Sequence, residues 1–214
     1  LMLAMLLSAC GGDTGSKGSE DGAVGGGSSA PADTSAPADT SAPADTGSSD
    51  GSGASAVAQD TNTVAVGAVV IARDDVPEDD IYALTSAIFE NIPTITEQHA
   101  KGGELDLDFA SSVTSVPYHP GAAKYFAEKG KEVAAVKEGA GSGDSKALTF
   151  TTGGETGTYY AFGSVLANYV SSNSDLSVTA VVGNGSQSNV EDLTAGDVQL
   201  GFVQSDVMSY AYNG

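Results

Sequence analysis

The chain has 214 residues, 28 of them glycine, and sets 28 Asp and Glu against only 8 Lys and Arg for a formal charge of -20. That charge repels phosphate backbones and anionic headgroups alike and leaves no general basic footprint, so nucleic acid is excluded as a partner class. One Cys and two His (His99 and His119) cannot form a disulfide or a structural zinc ligand set, and no run reaches the roughly 18 to 20 apolar residues that a spanning helix needs.

The first ten residues read as an address and an anchor. Leu1 to Ala9, LMLAMLLSA, is an apolar run about as long as the h-region of an export signal, and it stops at Cys10, followed by Gly11 and Gly12. Leu7-Ser8-Ala9-Cys10 resembles the bacterial lipobox, in which the Cys thiol receives a diacylglyceryl group; Cys10 is therefore expected to be a lipidation site, the competing reading being a buried Cys that ends a hydrophobic helix. With no initiator Met and no basic n-region, the sequence is expected to begin inside the signal.

Residues 11 to 58 offer almost nothing to bury and carry three tandem copies of Ser-Ala-Pro-Ala-Asp-Thr, at Ser29 to Thr34, Ser35 to Thr40 and Ser41 to Thr46. Such a stretch cannot recover its ordering entropy and is expected to be a disordered tether holding a folded domain away from a membrane surface. A period of six without apolar positions is too short for a solenoid.

A first foldable segment spans 59 to 133. Thr63 to Ala72, TVAVGAVVIA, is the pattern of a central strand buried on both faces of a parallel sheet. A helix is predicted from near Pro77, where Glu78, Asp79 and Asp80 suit the positive end and Pro gives up no hydrogen bond; Ile81, Leu84, Thr85, Ile88 and Phe89 share one face, and Asn91 with Pro93 closes it. The acidic turn reads as a capped, solvated helix start rather than a pair of general acid and base groups. Pro93 to Ala100 predicts a short second helix, and a last one runs from about Gly121 to Lys129, ended by Gly130. His119, between prolines at 117 and 120, is expected to fill a rigid turn with its ring bonded to backbone; a ligand contact is the sharper alternative. His99 lies near a helix end, where a cation is favourable. Residues 134 to 145, rich in Gly, read as a linker.

From 146 to 214 the pattern alternates. Strands are predicted at Ala147 to Thr151, Leu176 to Val182 and Val198 to Val203. The helices between and after them are marked by the face Phe162, Val165, Leu166, Tyr169 and Val170, by Val190 to Thr194, and by Ser205 through Tyr212. The order βαβαβα indicates a parallel sheet with right-handed crossovers, in which ligands bind at the carboxyl ends of the strands. Three loops leave those ends: Thr152 to Tyr160, Gly183 to Asn189, and Gln204-Ser205-Asp206. They offer backbone N–H groups, hydroxyls and amides but no cation, Lys146 being the segment's sole basic residue. Oriented amides at helix starts suit a small carboxylate, although each loop taken singly is equally well read as a Gly-rich turn with packing duties.

Competing motifs fail on residues. A phosphate loop requires Lys followed by Ser or Thr after its glycines, whereas Thr158 and Tyr159 stand here. The Gly-x-Gly-x-x-Gly spacing of dinucleotide sites is absent. Ser186 lacks the Gly-x-Ser-x-Gly elbow of a serine hydrolase, and neither His has an identifiable acid partner. No enzymatic activity and no cofactor are expected.

Leu148 to Gly163, Val182 to Ala195 and Val198 to Gly214, with Phe202-Val203-Gln204-Ser205-Asp206-Val207 and Tyr210-Ala211-Tyr212-Asn213-Gly214, resemble the amino-terminal third of TAXI-family substrate-binding proteins of TRAP transporters. Val64 to Lys131, with Val76-Pro77-Glu78, Phe89-Glu90-Asn91 and Tyr118-His119-Pro120-Gly121, is similar to their carboxy-terminal part. The resemblance covers about 140 residues. It implies one lobe of a type II periplasmic-binding-protein fold, α/β with a mostly parallel sheet and helices on both faces. It further implies an extracytoplasmic receptor that takes glutamate, 2-oxoglutarate or a related dicarboxylate and passes it to TRAP membrane subunits. The binding loops of the family fall on Gly153, Gly154, Thr158, Tyr159, Gly185, Ser186, Gln204 and Ser205.

The two segments stand in inverted order relative to the family, and its second lobe is missing. Both belong to the same lobe of that fold, so they are compatible with a circular permutant; the alternative is a rearranged tandem whose first copy lost its middle. A non-binding lipoprotein remnant or sensor module is the competing functional expectation.

Overall fold

The computed structural model describes residues 3–7, 66–136 and 145–214; Cys10, the tether and residues 137–144 of the linker lie outside the described residues. Five strands form one sheet in the order β1 (Leu3–Leu7), β2 (Ala68–Ala72), β5 (Leu200–Gln204), β3 (Ala147–Thr151) and β4 (Ser177–Val181). The trio β5, β3 and β4 is parallel, as expected of a βαβαβ run.

β2 corrects the sequence reading in one respect. All five of its residues are buried and it lies inside the sheet, but it runs antiparallel to β5, with Val70 opposite Phe202 and Ala68 opposite Gln204. Double-sided burial forces an unbroken apolar run whichever way a strand points, so periodicity reports depth and not direction. Leu3–Leu7, inside the run read as an export signal, pairs antiparallel along the outer edge of β2.

Helices cover both faces. In β5, Phe202 stacks with Tyr159 and Phe162 of α5 (Thr158–Asn173), while its neighbour Gly201 faces Leu193 of α6 (Ser186–Ala195). Successive strand residues point to opposite sides, so α5 and α6 flank the sheet. α7 (Ser205–Asn213) packs on β2 and β5 and buries Met208.

The first segment builds a helical layer beside α5. α1 (Glu78–Phe89) starts after Pro77 and buries Ile81, Leu84, Thr85, Ile88 and Phe89, the predicted face. α2 (Ile92–Gln98) follows, then a short 3-10 turn (Ala100–Glu104) and α3 (Leu107–Ala110), which the sequence reading did not foresee. α4 (Pro120–Glu128) lies against α1, its Tyr125 stacked on Phe89 and its Phe126 edge-on to the same ring. The axes approach closely because Gly121 has no side chain: a Cβ there would overlap Glu78 O and stand 2.7 Å from Tyr82 N. At the start of the segment read as a linker, the Tyr118 N–H donates to Ala134 O and the Val136 N–H to Tyr118 O, pairing 134–136 with the turn before α4.

His119 fills the predicted structural role. It is 1% exposed, its Nδ1 accepts from the Gly121 N–H at 3.2 Å, and its Nε2 lies 2.9 Å from Val76 O, so the ring caps α4 and ties it to the start of α1. Burial pushes its pKa down, against the opposing pull of the Val76 carbonyl, Glu78 and Asp74. His99 likewise serves as a cap, its Nδ1 accepting from the Lys101 N–H while its ring lies on Phe162.

Candidate functional site

The three loops named from sequence meet at the carboxyl end of the parallel trio. The Gly183 N–H donates to Gly153 O at 3.1 Å, joining the second loop to the first. The Gln204 N–H donates to Ser186 Oγ at 3.0 Å, joining the third to the second. Gly153, Gly154, Gly185, Ser186, Gln204 and Ser205 therefore lie around one edge, with Thr158 and Tyr159 in the first turn of α5 behind the first loop.

Each loop runs into a helix that carries no side-chain cap. α5 begins after Gly157, α6 after Gly185 and α7 after Gln204, and none of the three receives a side-chain hydrogen bond at its N-cap. α3 and α4, by contrast, are capped by Asp106 and His119. An α-helix leaves its first N–H groups without intrahelical partners, and the summed peptide dipoles place about half a positive charge there. The α6 start differs from the sequence reading: Ser186 to Ser188, assigned to the loop, are its first turn. Gly185, at φ 100°, makes the sharp entry that a side chain would resist.

The ends are not equivalent. Asp206 sits in the first turn of α7 and its Oδ1 accepts from the Val207 N–H at 2.8 Å, so that end is answered by the chain's own carboxylate. The Ser205 N–H is taken by Gly67 O at 2.9 Å. The starts of α5 and α6 are the open ones. Tyr159, in the first turn of α5, stacks its ring on Phe202 at 4.9 Å, and burial with the nearby Asp206 charge raises its pKa, which keeps the phenol protonated. Among the described residues no Lys or Arg stands at this edge. Lys146 precedes β3 at the opposite end, beside Asp175 at 3.8 Å, and Arg73, paired with Asp75, follows β2 at that same end.

Beneath the loops lies a buried polar node that the sequence reading did not single out. Asn189, 0% exposed, donates through Nδ2 to Thr152 O at 2.5 Å and Phe202 O at 2.6 Å, and its Oδ1 accepts from Thr151 Oγ1 at 3.0 Å. Thr152 Oγ1 donates to Val181 O at 2.7 Å, bringing β4 into the same network. The available signal was positional: Asn189 stands one helical turn before the core residue Leu193, a polar side chain on an apolar face. No group of His, Cys, Asp or Glu side chains among the described residues is placed to hold a metal ion.

A cavity of about 380 Å³ lies at the other end of the sheet, lined in part by Asp79, Asp80, Lys146 and Asp175. Three carboxylates against one ammonium make it a poor seat for an anion.

A single α/β lobe that gathers neutral donors at one sheet edge has the layout of a ligand-binding module. The NMT1-like family model matches residues 52–130 and 150–214, and the chain belongs to that family, which is of the periplasmic solute-binding receptor class. No solved structure matches the chain.

Proposed function

We propose that the chain is a lipid-anchored extracytoplasmic receptor lobe that offers the carboxyl edge of its sheet to a small carboxylate, glutamate or 2-oxoglutarate being the leading candidates, and presents it to the membrane subunits of a TRAP transporter. The observation that carries this reading is the convergence of uncapped helix starts at one edge where no cation stands among the described residues: the N–H groups of Thr158 to Tyr160 and of Ser186 to Ser188 are donors awaiting an acceptor. A carboxylate supplies two acceptor oxygens and a charge of the sign that helix ends favour. The Ser186 hydroxyl adds to this, because Oγ already accepts from Gln204 and its own hydrogen remains to be donated. Anchoring at Cys10 and the TAXI-type assignment rest on the sequence motifs given above.

One open edge buries little of a ligand, whereas closure between two lobes buries most of it, so these 214 residues are expected to bind in the millimolar range or more weakly. Titration of the labelled chain with glutamate and with 2-oxoglutarate, followed by amide shifts, tests this. The expected result is saturable movement at Gly153, Gly154 and Ser186 to Ser188 and none near Lys146. Movement elsewhere only would overturn the site, and calorimetric binding tighter than millimolar would overturn the one-lobe reasoning.

A further inference from the structure

We propose that Asn189 is the positioning residue of the loop cluster: its amide clamps the first turn of α6 to the ends of β3 and β5 and thereby sets the spacing between the donors of the first and second loops. Its consequence for binding rests on the ligand reading above; its structural part does not.

The geometry is that of a side chain continuing a ladder. β3 and β5 pair through Phe150 opposite Leu200 and Thr151 opposite Gly201, and their ladder ends there. Just beyond, the Nδ2 group of Asn189 lies between the strands and donates one hydrogen to each, to Thr152 O and to Phe202 O. The two strands are thus held at the separation of a shared amide where their loops begin. Thr151 Oγ1 fixes the third atom of the group by donating to Oδ1, which also determines which end of the amide faces the carbonyls.

Glycines make room for the node. A Cβ on Gly183 would overlap Asn189 Oδ1, and one on Gly201 would stand 3.6 Å from Asn189 Cβ and closer still to Leu193. Packing alone would be served by an aliphatic residue, as Leu193 serves one turn later on the same face. Aspartate has no hydrogen to give either carbonyl, leucine leaves both buried without their partner, and glutamine is a methylene too long for the gap. The residue that satisfies two strand-end carbonyls and one hydroxyl in that volume is asparagine.

The test is amide hydrogen exchange by NMR on the whole chain, wild type against Asn189→Asp and Asn189→Leu. The reporters are the Gly183 and Gln204 N–H groups, which tie loop to loop, and the reference is the ladder between β2 and β5. A positioning role predicts that the two reporters exchange about ten-fold faster or more after correction for any loss seen at the ladder, the scale of one lost hydrogen bond. Exchange that rises only in proportion to the ladder would overturn the proposal. If both variants fail to fold, Thr151→Val removes only the bond into Oδ1 and is expected to speed the same reporters a few-fold, wild-type exchange there counting against the proposal. A parallel glutamate titration separates the two claims. Wild-type amides that respond while Asn189→Asp is silent with its ladder intact support both. A response of the variant equal to wild type overturns positioning. Loop opening in the variant with no wild-type response leaves positioning standing and sinks the ligand reading.

Discussion

Gly183→Ala against Gly154→Ala is the most direct test of how the loop cluster is built, because the two glycines lie in adjoining loops and differ in what a methyl group would meet. At Gly183 the added Cβ overlaps Asn189 Oδ1 and stands 2.7 Å from Thr151 Oγ1 and 2.9 Å from Thr152 O. Those three atoms belong to groups bonded to one another, so none is the free end of a flexible side chain. Relief requires either moving the strand end, an overpacking strain of about 1–3 kcal/mol, or expelling the Asn189 amide, which strands buried carbonyls at about 1–3 kcal/mol each. Alanine recovers about 0.4–1 kcal/mol by restricting the unfolded chain. The cheaper relief sets the cost, and the depth of the overlap puts it in the upper half of the overpacking range, so the expected net loss is about 1–2.5 kcal/mol, a sizeable part of a typical domain's stability. At Gly154 a Cβ meets nothing within 4 Å, so Gly154→Ala is expected to stay within about 0.5 kcal/mol of wild type. Urea unfolding with an unchanged slope measures both. Equal effects at the two positions, or a loss below about 1 kcal/mol at Gly183, would refute the picture of a rigid node.

Gly121→Ala places a methyl into the backbone of α1 at Glu78 and Tyr82 and is expected to lower the urea midpoint by the equivalent of about 1–3 kcal/mol, although Ala is the better helix former. His119 has a folded pKa below its ordinary value, so its contribution to stability is complete above about pH 6.5 and is lost as pH falls from there to the folded value; unfolding free energies measured between neutral and mildly acidic pH should slope downward in wild type and slope less in His119→Gln. Tyr118, buried with its hydroxyl donating to Ala110 O at 2.8 Å, is pushed up to about 12, so its share of stability should hold below its ordinary pKa and vanish as pH rises from there to about 12. Tyr118→Phe should cost about 1 kcal/mol at neutral pH and flatten that alkaline decline.

Much of the fold was written in local pattern. β3 occupies Ala147–Thr151 as read, and the acidic turn after Pro77 opens α1 as read, because strand alternation and N-terminal carboxylates act over a few residues. The direction of β2 was not legible, since burial on both faces erases the alternation that would otherwise constrain register and neighbours. The start of α6 was misplaced for a related reason. Gly-Asn-Gly-Ser-Gln-Ser has the composition of a loop, and only the backbone turn at Gly185 converts Ser186 to Ser188 into a helical first turn. Asn189 was hidden by the same composition: among polar neighbours it looks like one more loop amide, and its meaning appears once Leu193 fixes which side of the helix is inward.

The proposed binding of an acidic metabolite by a chain of formal charge -20 looks electrostatically perverse until the distances are considered. Charges on the far side of the lobe act through solvent with a screening length of about 8 Å at physiological ionic strength, so they slow approach more than they weaken a formed contact. The contact itself is decided by groups within hydrogen-bond reach, and there the chain has arranged a local excess of donors. Two helix starts are open, and the third is already answered by Asp206. A Lys or Arg at the same edge would bind anions more strongly but with less discrimination by shape, and it would draw in the phosphate and chloride that such a surface otherwise repels. Neutral amides fixed by a buried node favour an acceptor that fits their spacing. For this reason the rigidity of Asn189 and the absence of cations among the described residues at the rim belong to one explanation: with weak donors, selectivity has to come from where they point.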